Sequence, residues 1–172
     1  MARDSQRSKV YRWEREAITD FYLPKITLEA CTEFVVKVCK DIEFTPPRVT
    51  DGRGRKGACA FSNRICLPAY SRTRPIVLHE LAHIIAKQTF GREIAGHGSE
   101  FVRCYMWLLQ KYCKQPLRHL QVTATKSRVK YGPAQLVEVI QAKPLIRYVR
   151  ETVGSLPLKK LQKIQEIIED KV

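Results

Sequence analysis

At 172 residues and 44% hydrophobic, the chain has the size of one domain and is too apolar to be disordered. None of its apolar runs approaches the length that crosses a bilayer, so a membrane-spanning protein is not expected. Its 31 Lys and Arg outweigh 17 Asp and Glu for a formal charge of +14, a balance that suits a polyanionic partner.

The first residues, Met1 to Lys9, are polar and hold no hydrophobic stretch, so a secretory signal is not expected; Asp4, Glu14 and Glu16 count against a transit peptide. Val10, Trp13, Ala17 and Phe21 recur at helical spacing and predict an amphipathic helix over about residues 5–22, ended by Pro24. Thr27 is placed to cap a second helix carrying Leu28, Cys31, Val35, Val38, Cys39 and Ile42 on one side, and Pro46 and Pro47 stop it. Val49, a turn-rich run over residues 51–57, then residues 58–61 and 64–68 read as short strands of a small antiparallel sheet.

Pro75 then supplies a helix start and Gly91 a stop. Between them residues 76–86 are apolar on nearly every face except at His79, Glu80 and His83, the pattern of a buried helix. Residues 99–113 form another helix, with Phe101, Tyr105, Leu108, Leu109 and Tyr112 as its apolar contacts. From about Lys143 the chain reads as an extension: a short helix between Pro144 and Pro157, then a final amphipathic helix bearing Leu158, Leu161, Ile164, Ile167 and Ile168. Helix, helix, sheet, helix, helix is an α+β order.

The chemistry concentrates in the buried helix. His79 and His83 are four residues apart, so both imidazoles lie on one helical face and can reach one metal ion. Glu80 follows the first ligand, where a carboxylate can act on water at that metal. His97, in Gly-His-Gly-Ser-Glu-Phe, can close the triad after the chain turns back. Three protein ligands leave a zinc ion (Zn2+) one coordination position for water, the layout of a catalytic site. Burying these three groups without a partner would cost roughly 2–7 kcal/mol each on the harsher scales, a cost that a metal removes. Glu100 lies three residues past His97. It either serves the site, orienting a histidine or replacing His97, or is a first-turn glutamate favoured by the helix dipole. A donor for the tetrahedral oxyanion is also expected. Tyr105, His119 and Tyr131 are candidates, each with packing or surface exposure as the alternative.

The six cysteines contain no Cys-x-x-Cys pair, so a separate zinc knuckle is not expected. They read as small apolar thiols in a reducing compartment, with Cys59 and Cys66 able to approach across the strand pair. Charge clusters twice. Residues 111–150 carry nine cations against the single acid Glu138, and Arg48, Arg53, Arg55, Lys56, Arg64, Arg72 and Arg74 are opposed only by Asp51. Such stripes are either the footprint of a nucleic acid or solvated faces. Lys126, Arg128 and Lys130 are the candidate phosphate contacts.

The His-Glu-x-x-His helix with a third histidine in a His-Gly-x-x-Phe type motif resembles zinc metallopeptidases of the zincin superfamily, the SprT-like group in particular. Residues 2–11 (Ala-Arg-Asp-Ser-Gln-Arg-Ser-Lys-Val-Tyr), Leu67-Pro68, residues 78–83 and residues 97–101 are similar to a family of small metallohydrolases of actinobacteria and their phages. The likeness covers roughly residues 3–131. It implies a zincin-like metallohydrolase domain over 1–131 and a basic helical extension over 132–172. It also implies zinc held by His79, His83 and His97, with Glu80 as acid and base. SprT-like proteins act on proteins attached to DNA, which agrees with the basic stretches; a cytoplasmic site of action, or the host cytoplasm or virion for a phage protein, is expected. Two function classes follow: a zinc-dependent peptidase, acting on DNA-associated proteins, or a basic nucleic-acid-binding or virion-associated protein whose zinc is structural or vestigial. Retention of Glu80 favours the first, since a structural site has no use for that carboxylate.

Overall fold

The computed structural model describes residues 3–142; the two expected helices beyond Lys143 lie outside the described residues, as do Arg147 and Arg150. The architecture is α+β: α1 (Arg7–Ala17), α2 (Leu28–Asp41), β1 (Arg48–Thr50), β2 (Cys59–Ala60), β3 (Arg64–Cys66), a single 3₁₀ turn (Ala69–Ser71), α3 (Arg74–Phe90), α4 (Ser99–Cys113) and α5 (Leu117–Lys126). A further helical segment begins at residue 135 and reaches the last described residue, 142.

Most elements follow their local signals. Val10, Trp13, Ala17 and Phe21 are all buried as their spacing required, but α1 stops at Ala17 because Ile18 turns extended and Asp20 takes a positive φ of 60°. Phe21 therefore reaches the core from a turn. Thr27 caps α2, its hydroxyl accepting from the Ala30 N–H at 3.1 Å. Gly91 closes α3 at φ 97°, a conformation that L side chains rarely adopt.

The sheet departs from the expected all-antiparallel form. Its order is β1-β3-β2, a mixed sheet. β2 and β3 make an antiparallel hairpin with Cys59 opposite Cys66, while β1 lies parallel on the other edge of β3, Val49 opposite Ile65. The two-residue turn Ser62-Asn63 is tight enough to force a hairpin. The long run after Thr50 instead carries the chain past the end of β3, leaving β1 to pair in the same sense.

α3 packs chiefly on α4, and α1 on α5. Trp13, fully buried, donates its indole N–H to the Thr123 hydroxyl at 3.0 Å and locks the second pair. The apolar core runs on past position 131, since Ile140 is buried in it and the compact unit extends through Ile140. Among the described residues no helix is long and apolar enough to cross a membrane.

Candidate metal centre

His79 and His83 stand one turn apart on α3, and the loop after Gly91 returns His97 to them just before α4. The three imidazoles offer ligand atoms that all lie within 4.8 Å of one another. The Nε2 atoms of His79 and His83 are 3.2 Å apart. Two nitrogens bound to one tetrahedral zinc at about 2.0–2.1 Å should sit about 3.3–3.4 Å from each other, so the spacing fits. The Nε2 atom of His97 is buried and has no hydrogen-bond partner among the described residues. An orphaned acceptor aimed at two other imidazoles is what a cation would satisfy.

The rear of the site comes from the N-terminus. Glu14, on α1, meets His79 Nδ1 through Oε2 at 2.8 Å, and both side chains are nearly sealed from water, at 6% and 5% exposure. Asp4 meets His97 twice: Oδ1 accepts from the His97 main-chain N–H at 3.1 Å and Oδ2 faces Nδ1 at 2.8 Å. A carboxylate opposite Nδ1 fixes the ring proton there and leaves Nε2 as a lone-pair donor, the tautomer that a metal needs. Gln6 braces the same loop. Its amide donates to the His97 carbonyl at 2.7 Å and to the Lys130 carbonyl at 2.9 Å, and its oxygen accepts from the Lys130 N–H at 2.9 Å.

Packing holds the rings. Phe101 stacks on His83 with centroids 4.2 Å apart and stands edge-on to His79 and His97, both at 5.0 Å. Electrostatics separates the three. Burial presses His79 down, but the Glu14 charge and hydrogen bond outweigh it and leave its pKa raised. Burial, then the charges of His79 and His97, pushes His83 well below the ordinary value. Burial also lowers His97, against the pull of Asp4. Glu80 is 6% exposed, and burial raises its pKa although His79 opposes the rise.

The remaining expected residues fall into place one by one. Glu100 stands outside the histidine cluster and accepts from the Ser99 hydroxyl at 3.0 Å in the first turn of α4. Tyr105 is fully buried, packs its ring 5.3 Å from His79 and donates its hydroxyl proton to the Pro75 carbonyl at 3.2 Å. His119 donates from Nε2 to the Ala17 carbonyl at 2.9 Å, joining α5 to the end of α1. Tyr131 lies under the Arg103 guanidinium, 5.0 Å from the ring centre. Lys126, Arg128 and Lys130 are exposed around the end of α5, and Gln6 ties that stretch to the His97 loop.

Four residues of the centre went unassigned by sequence: Asp4, Gln6, Tyr11 and Glu14. Glu14 carried a signal, since it is an acid flanking the apolar stripe of α1 and a buried acid needs a partner. Asp4 and Gln6 precede the helix, and spacing alone cannot say what they face. The cysteines are all free thiols, and burial raises Cys31 to about 11 and Cys39 to about 12, which keeps both protonated.

A cleft of about 470 Å³ opens beside His83, walled by Ala60, Phe61, Ser62, Ile84 and Lys87. β2 is the edge strand here, so its outer side is unpaired within the sheet. Further along the sheet, Arg48, Arg53, Arg55 and Arg64 line a shallow basin of about 260 Å³, and Arg55 and Arg64 flank the exposed Phe61 ring at 5.1 and 4.7 Å. Comparison with known proteins found no match to the chain, whether among family models, curated proteins or solved structures.

Proposed function

We propose that this protein is a zinc-dependent hydrolase that cleaves peptide bonds, with His79, His83 and His97 as the ligands and Glu80 as the general base. The observation that carries the reading is the all-histidine cluster with its orphaned His97 Nε2, set one residue from a buried carboxylate. Zinc held there would polarise a carbonyl and acidify water. The protein supplies the rest. Glu80 takes the proton of the attacking water and returns it to the leaving nitrogen, and its burial raises its basicity for that task. Glu14 and Asp4 keep their histidines turned and their protons away from the ligand face. The unpaired edge of β2 runs into the cleft beside His83, where an extended peptide would add as a further strand.

Proteins bound to nucleic acid are the proposed substrates. The arginine basin on the sheet supports this, since its Arg55 and Arg64 also flank the exposed Phe61 ring and so set cations for phosphates beside an aromatic face for a base. Glu80→Gln keeps size and helix while removing the base. The variant should hold zinc as the wild type does and lose hydrolysis of a peptide library by about 10²–10⁴-fold. Equal rates in the two proteins would end the enzymatic reading.

A further inference from the structure

We propose that Tyr11, backed by Arg7, donates the hydrogen bond that meets the scissile carbonyl oxygen as it gains negative charge; this rests on the hydrolase reading above. Hydrolysis at such a centre needs a donor opposite the metal ligands. Two of the three donors that the sequence suggested are committed elsewhere, Tyr105 to the Pro75 carbonyl and His119 to the Ala17 carbonyl, and the third, Tyr131, packs its ring under the Arg103 guanidinium.

Tyr11 is placed differently. It sits on α1 one turn before Glu14, so the helix that holds His79 also carries the phenol. Its ring stands edge-on to His97 at 4.9 Å and tilts over His79 at 5.7 Å, spanning two of the three ligands. It is half-buried, hence open to a bound molecule on one side. Glu80 follows His79 in the chain, so the base neighbours the ring that Tyr11 packs on. Arg7 Nε donates to the Tyr11 hydroxyl at 3.3 Å. That bond uses the oxygen as acceptor and leaves the O–H proton to be given away, and among the described residues nothing accepts it. The guanidinium also polarises the O–H bond and makes it a stronger donor.

As Glu80 takes one proton from the attacking water, the water oxygen bonds to the carbonyl carbon, the carbonyl π pair moves onto oxygen, and the Tyr11 O–H meets that charge without surrendering its own proton. When the pair returns, the C–N bond breaks and Glu80 protonates the nitrogen.

Tyr11→Phe removes one oxygen and keeps the ring against both histidines. The variant should bind zinc as the wild type does, lose about 10²–10³-fold in kcat and change little in KM. Acetohydroxamate gives a second readout that needs no turnover, because its carbonyl oxygen chelates zinc where a substrate oxygen would. Calorimetry on the zinc-loaded proteins should show the variant binding this probe about tenfold or more weakly. Equal acetohydroxamate affinity in the two proteins overturns the assignment, as does an active wild type with an equally active Tyr11→Phe. A wild type that holds zinc yet neither binds acetohydroxamate nor cleaves any peptide removes the hydrolase reading, and this one with it.

Discussion

Replacing Glu14 by Gln asks how much of the metal affinity comes from behind the ligands. The exchange keeps length and volume, and the new amide oxygen can still accept from His79 Nδ1. What it removes is the charge on the acceptor. The contact is 2.8 Å long between side chains exposed by only 6% and 5%, so water can do little to replace it. A hydrogen bond to a charged group contributes about 1.5–3 kcal/mol and a neutral one about 0.5–1.5 kcal/mol. The difference, about 1–2 kcal/mol, corresponds to roughly 5–30-fold weaker binding of zinc. Glu14→Ala strips the partner altogether and should fall further, toward the upper end of the roughly 10–100-fold that outer-shell partners contribute. Competition against a chromophoric chelator measures both, with circular dichroism to show that α1 survives. Zinc affinity of Glu14→Gln within twofold of wild type would refute the argument that the buried carboxylate supports His79 as a ligand.

His97→Ala deletes the one ligand that does not lie on α3 and should reduce bound zinc, read by elemental analysis, to well under half an equivalent per chain. Acidification should weaken the metal-free protein. His83 and His97 titrate below the ordinary value of 6.5 when folded, so below that pH the unfolded chain binds more protons and stability falls; His79, which is raised, works the other way. The urea midpoint of the metal-free protein should therefore drop between pH 7.5 and 5.5, and by less in His83→Gln; an equal drop in both would show that His83 is not the group responsible. Contacts to about four to six phosphates imply a slope of roughly −4 to −5 in log affinity for duplex DNA against log salt, and Lys126, Arg128 and Lys130 replaced together by Gln should flatten it by about 2–3. Fluorescence anisotropy that shows no binding at low salt would assign these exposed cations to solvent.

Local signals carried most of the fold because they are local. Pro75 and Gly91 bound α3, Thr27 caps α2, and the bounds of α4 at Ser99 and Cys113 follow the apolar spacing directly. α5 was not foreseen: Leu117, Leu120 and Ala124 are its inward residues, but cations and polar residues between them dilute the stripe. The parallel pairing of β1 was also hidden, since three residues cannot announce which edge of β3 they will take. At the metal the divide is sharper. The α3 histidines were legible because four-residue spacing fixes a shared face, and His97 because it follows where the chain turns back after Gly91. Asp4 and Glu14 meet their histidines across 93 and 65 residues of sequence, a juxtaposition that only the packing of α1 on the rest of the core creates.

That distance bears on whether a metal held by the three histidines would be structural or catalytic. A structural zinc takes four protein ligands and is usually rich in thiolate. This chain has six cysteines, yet the cluster is three histidines and includes none of them. Asp4 and Glu14 meet the Nδ1 atoms of His97 and His79, which leaves the Nε2 atoms to a metal, and the cleft opens beside His83. Glu80 is only 6% exposed, and burial raises its pKa, an unfavourable environment for a carboxylate that only fills space. A site meant to hold the fold together would gain stability by making Glu80 apolar. The buried carboxylate at Glu80, the Tyr11 phenol packed on His79 and His97, and the cleft beside His83 therefore support the proposed hydrolase over a structural role for the histidine cluster.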